Sequence, residues 1–91
     1  MRKIRRFVWD AWNVGHIARH RVTPEEAEEA FCNEPLFLRG RGGTRVVLGR
    51  TDAGRLLTVI YVERPGGEAY VVTARDMDRK ERRRYRRERG R

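Results

Sequence analysis

Leu56-Leu57-Thr58-Val59-Ile60-Tyr61-Val62 reads as a strand with apolar side chains on both faces. Such a strand must be covered on both sides, so it belongs in the middle of a sheet with other elements packed over it. Asp52-Ala53-Gly54 precedes it and Pro65-Gly66-Gly67 follows it, both with the composition and length of hairpin turns. The flanking β-branched runs then predict a three-stranded antiparallel meander, with strands close to 45–51, 55–64 and 68–75.

Upstream, Ile4-Arg5-Arg6-Phe7-Val8-Trp9 predicts a short strand over 4–9. Asp10 is placed to cap a helix over about 11–20, with Val14, Ile17 and Ala18 at helical spacing for the core and Gly15 weakening it. Thr23-Pro24-Glu25-Glu26 is a capping box with proline at the first helical position. Ala27, Ala30 and Phe31 supply that helix's buried stripe, and it ends before Asn33-Glu34-Pro35. Arg39-Gly40-Arg41-Gly42-Gly43 reads as a flexible basic loop. After the meander, Asp78-Arg79-Lys80-Glu81 is a second capping box, opening a C-terminal helix over about 78–89. The expected architecture is α+β in a single domain over 1–91: strand, two helices, meander, basic helix.

The net charge of +9 is unevenly spread. Residues 79–91 carry nine Lys or Arg against two Glu, whereas residues 1–78 hold thirteen basic and eleven acidic side chains. Arg outnumbers Lys twenty to two. Guanidinium groups bind phosphates and carboxylates bidentately, so a polyanion or an acidic protein is the expected partner. Cys32 is the single cysteine, which excludes a disulfide framework and a cysteine zinc site; it is expected in the core. No apolar run approaches the roughly 20 residues of a membrane helix, and the basic N-terminus lacks the apolar stretch of a secretory signal. A cytoplasmic protein without membrane contact is expected.

Several stretches together resemble the BrnT family of toxins. They are Phe7-Val8-Trp9-Asp10, His16-Ile17-Ala18-Arg19-His20, and Val22 with Glu25-Glu26-Ala27 and Phe31. The second half adds Arg45-Val46-Val47-Leu48-Gly49-Arg50, Leu57 through Tyr61, Thr73-Ala74-Arg75, and Glu81-Arg82-Arg83-Arg84-Tyr85. The resemblance spans about residues 7–85, and order and spacing carry it more than any one piece. It implies a RelE-like fold and a metal-independent endoribonuclease that inhibits translation. It also implies a cognate antitoxin, BrnA-like and DNA-binding, that neutralises the toxin in a hetero-oligomer. A catalytically inactive module of the same fold, binding nucleic acid or an antitoxin-like protein, is the alternative.

Metal-free RNA cleavage activates a 2′-hydroxyl, stabilises a charged phosphorane and protonates the leaving 5′-oxygen. His20 suits the proton transfers with Arg19 beside it as a phosphate clamp; its plainer role is a hydrogen bond at the helix end. His16 and His20 are spaced i, i+4, which permits a metal pair, but no third ligand is evident and no metal or other cofactor is expected. Arg45, Arg50 and Arg75 lie on adjacent predicted strands. Arg45 and Arg75 can form an anion cradle from one sheet face, or each can simply pair with Glu63, Glu68 or Asp76. Glu81 belongs first to its capping box. Tyr85, one turn on, either offers its hydroxyl to the active face or only packs. The candidate catalytic set is therefore His20, Arg45, Arg75 and Tyr85. Arg19, Arg50, Arg79, Arg82, Arg83 and Arg86 are the candidates for holding RNA phosphates. Trp9, Trp12 and Phe37 read as core or partner-facing side chains rather than base-stacking platforms.

Overall fold

Glycines with positive φ shape both hairpin turns: Gly54 (92°) in the first, Gly66 (83°) and Gly67 (78°) in the second. A side chain at these positions would be strained, so the turns fall where the sequence places them. A computed structural model describes residues 4–89. Its elements are β1 (Arg6–Val8), α1 (Ala11–Ala18), α2 (Pro24–Cys32), β2 (Leu36–Arg39), β3 (Arg45–Arg50), β4 (Leu56–Arg64), β5 (Glu68–Asp76) and α3 (Arg79–Glu88). The five strands form one mixed sheet in the order β1-β5-β4-β3-β2. β1 runs parallel to β5, and the other neighbours are antiparallel.

The strand rich in apolar residues is central, as its two-sided pattern requires. The meander, however, has four strands rather than three. Leu36-Phe37-Leu38-Arg39 pairs with β3, Leu36 opposite Leu48 and Arg39 opposite Arg45. The first strand is also shorter than the expected 4–9, and α1 stops at Ala18, leaving Arg19 and His20 in the turn beyond it.

α1 and α2 cover one face of the sheet. Ile17, Ala27, Ala30 and Phe31 meet Val47, Leu57, Val59, Tyr61 and Val71 in the main core. Small residues let α2 approach β3 closely: a Cβ added to Gly49 would lie 2.0 Å from the Ala30 carbonyl oxygen. That glycine marks a backbone contact with no room for a methyl group. α3 covers part of the opposite face through a smaller cluster of Leu48, Met77 and Tyr85, flanked by Leu36, Leu38, Val46 and Leu56.

All three helices begin with capping boxes, at Asp10–Asn13, Thr23–Glu26 and Asp78–Glu81. The first box corrects the expected phase of α1. Asn13 and Ile17 form its buried stripe, while Val14 (38% exposed) and Ala18 face outward. Asn13 is fully buried because its amide donates to the carbonyls of Val8 (2.9 Å) and Val71 (3.1 Å), and its oxygen accepts from the Asp10 N–H. A buried polar group so satisfied costs little and joins α1 to both β1 and β5. Cys32, expected in the core, is exposed. Phe31 turns inward at the end of α2, which leaves its neighbour on the outer side.

Candidate functional site

The chain leaves α1 through a reversal that presents three basic side chains in a row. The Arg21 N–H donates to the Ala18 carbonyl (2.9 Å) and the Val22 N–H to that of Ile17 (3.2 Å). This Schellman pattern puts Arg21 in the left-handed conformation (φ 59°), a position usually given to glycine. Val22 and Ile17 are both buried, while Arg19, His20 and Arg21 stay at the surface.

Arg55 holds this turn against the sheet. Its guanidinium donates to the carbonyls of Arg21 (2.6 Å) and His20 (3.1 Å), to Glu26 Oε1 (3.2 Å) and to Asp76 Oδ1 (2.8 Å). The planar fork of arginine suits four acceptors spread over three elements, and an ammonium does not. The hydrogen bond from Arg55 holds the Asp76 carboxyl below the ordinary range against the opposing effect of burial, with smaller contributions from Arg82 and His20.

Arg75, near the end of β5, completes the site. Its two terminal nitrogens bind Glu81 bidentately, at 2.8 and 2.9 Å, and Nη1 also reaches the Asp76 carbonyl. Burial pushes the Glu81 carboxyl up. Hydrogen bonds from Arg75, the Asp78 N–H and the Thr58 hydroxyl outweigh it and lower the pKa to about 2. Arg75 is thus fixed in direction while part of its guanidinium remains available at the surface, its side chain being 34% exposed. Arg19, His20, Arg21, Arg75 and Asp76 line one open depression of about 430 Å³.

Of the four residues expected to carry chemistry, two meet here: His20 and Arg75. Arg45 lies elsewhere. It shares the α2-covered face with Val47 and Tyr61, pairs with Glu63 at 3.4 Å, and borders a small pocket with Arg39, Gly40, Gly43 and Thr44. Arg75 is on the opposite face, paired with Thr58 and bonded to α3. An Arg45–Arg75 cradle is therefore excluded, and the cause is a β-bulge. Tyr61 pairs with Val71 but Ile60 with Thr73, so the register slips between them and reverses the facing of the rest of β5. Tyr85 is buried under α3, with its hydroxyl donating to the Glu34 carbonyl (2.9 Å). Burial raises its pKa further above the ordinary phenol value.

The expected phosphate binders divide similarly. Arg19 lines the depression. Arg50 pairs with Glu34 (3.0 Å), and Arg82 donates to the Met77 carbonyl (2.7 Å). Arg79 and Arg86 are exposed on α3. Arg83 borders a separate cleft of about 570 Å³, whose apolar floor is Leu38, Val46 and Leu48 and whose rim includes Lys80, Arg84 and Arg87. Arg55 and Asn13 escaped sequence reasoning altogether. A lone arginine after a turn and an asparagine among helix formers carry no pattern that announces a clamp.

Residues 9–81 match the family described as the ribonuclease toxin, BrnT, of type II toxin–antitoxin systems. The chain belongs to the BrnT family. That match includes the α1 turn, Arg55, Arg75 and Glu81, and stops before most of the basic face of α3. A comparison with curated proteins gave no match. Membership of the BrnT family implies both an RNA substrate and an antitoxin partner. Among the described residues, no helix is long and apolar enough to cross a membrane.

Proposed function

We propose that this chain is a metal-independent endoribonuclease toxin that cuts RNA at the depression formed by Arg19, His20 and Arg75, and so inhibits translation. The observation that carries the reading is the meeting of the exposed histidine with three arginines, Arg19, Arg21 and Arg75, on a member of the BrnT family. In this scheme Arg75 and Arg19 bind the scissile phosphate and stabilise the added negative charge of the phosphorane. His20 accepts the proton of the 2′-hydroxyl. The 2′-oxygen bonds to phosphorus as the bond to the 5′-oxygen breaks. The products are a 2′,3′-cyclic phosphate and a 5′-hydroxyl, the leaving oxygen taking its proton from the imidazolium. Asp76, held ionised by Arg55, faces the same space and does not serve as the acid near neutral pH. Tyr85 and Arg45 stay outside the chemistry. The exposed arginines of α3, among them Arg79, Arg83 and Arg86, hold RNA phosphates without reading sequence.

The same reading takes the fold as RelE-like and the place of action as the cytoplasm. The neutralising partner is a cognate antitoxin, BrnA-like and DNA-binding, in a hetero-oligomer. The test is incubation of purified protein with total RNA in excess EDTA. Cleavage persists in the chelator and falls about a hundredfold or more in His20→Ala and in Arg75→Ala. Undiminished cleavage in both variants refutes the assignment.

A further inference from the structure

Trp12 is 57% exposed, yet its ring is not loose. The indole stacks on the His16 imidazole at 4.9 Å between centroids and only 7° from parallel. His16 in turn meets His20 edge-on at 6.2 Å. Positions 12, 16 and 20 share one stripe of α1 and its terminal turn. The stripe runs about 12 Å from the indole to the depression with Arg19 and Arg75, given the rise per helical residue. An oriented aromatic face thus stands at the end of a row that leads into an arginine-lined site.

A protein interface is the less suitable occupant. Interfaces of that kind bury a contiguous apolar core. Val14, the other exposed large apolar side chain among the described residues, is two positions along the helix and faces another way. A nucleobase needs only one fixed aromatic face and cations within reach of its backbone; Trp12 offers the first, and Arg19 and Arg75 at the depression offer the second.

We propose that Trp12, backed by His16, is a stacking platform for a nucleobase flanking the phosphate held at His20 and Arg75. The proposal rests on the reading of the depression as the RNA site. Because every base has a π-face, the platform fixes the strand in place without demanding one sequence.

The probe is a 12-nucleotide 2′-O-methyl RNA, which lacks the attacking hydroxyl and is not cleaved, together with an abasic oligomer of equal length. Binding is read by anisotropy and by quenching of tryptophan fluorescence. Trp12→Ala weakens binding of the base-bearing oligomer about tenfold or more and removes most of the quenching, while Trp12→Tyr restores most of the affinity. The abasic oligomer binds wild type and Trp12→Ala alike. Equal binding of the base-bearing oligomer by wild type and Trp12→Ala, with Arg75→Ala weaker, overturns the platform and leaves the depression standing. Loss in Trp12→Ala without loss in Arg75→Ala keeps the platform and overturns the site reading beneath it. Equal loss on the abasic oligomer overturns stacking as the cause.

Discussion

Replacing Glu81 by Gln removes one charge and almost no volume, and it isolates the ionic contact that joins α3 to Arg75. The wild-type carboxyl titrates at about 2 instead of 4.5. A depression of that size corresponds to a ceiling of about 3 kcal/mol in favour of the folded state. The side chains of Glu81 and Arg75 are 24% and 34% exposed, so solvent screening reduces the figure to about 2 kcal/mol. Because the folded-state pKa is lowered, this contribution is complete above about pH 4.5 and disappears as the pH falls toward 2. Urea unfolding of wild type and Glu81→Gln across pH 2–7 measures it directly. The difference between the two proteins is about 2 kcal/mol near neutrality, equivalent to roughly 10 °C in Tm, and shrinks toward zero at the acid end. Asp10 and Asp76 also titrate low, but they do so in both proteins and cancel from the difference. A difference that stays constant with pH assigns the cost to helix capping or packing and rules out the ion pair as its source.

Gly49→Ala places a methyl group 2.0 Å from the Ala30 carbonyl oxygen, so α2 must shift. A loss of about 2–3 kcal/mol in urea unfolding is expected. Arg55→Lys keeps the charge but not the fork that reaches His20, Arg21, Glu26 and Asp76. It costs about 2 kcal/mol and, by releasing the α1 turn, lowers RNA cleavage; unchanged stability and cleavage would show that the fork is dispensable. Arg21→Gly relieves the left-handed backbone at φ 59° and raises stability by about 0.5–1 kcal/mol, read as a higher urea midpoint at constant slope.

The elements with strong punctuation were legible in the sequence. Gly54 and Gly66-Gly67 gave the hairpins, and the cap at Asp10 with the boxes opened by Thr23 and Asp78 gave three helix starts. β2 was not legible, because four residues between Pro35 and Gly40 become a strand only by pairing with β3. The phase of α1 was lost to Asn13, whose burial depends on two carbonyls distant in sequence or outside the helix. The site was half legible. His20 and Arg75 converge, but the facing of Arg75 against Arg45 depended on a bulge that no alternation pattern reveals. Arg55 works entirely through tertiary acceptors, so nothing local marks it.

The stretch Leu56–Val62 that organises the sheet is also the part of the chain best suited to self-association. It has seven uncharged residues rich in β-branched and aromatic side chains, with no proline or glycine. Its neighbours β3 and β5 are contiguous in sequence, so both of its edges are filled by short-range hairpin closure. The exposed borders of the sheet fall instead to β1 and β2, of three and four residues, carrying Arg6 and Arg39. Short, charged borders are poor templates for another strand. Solubility on the ribosome and at high concentration therefore depends on how promptly the two hairpins close. Substitutions that slow them, at Gly54 or Gly66, are expected to appear first as inclusion bodies rather than as lost activity.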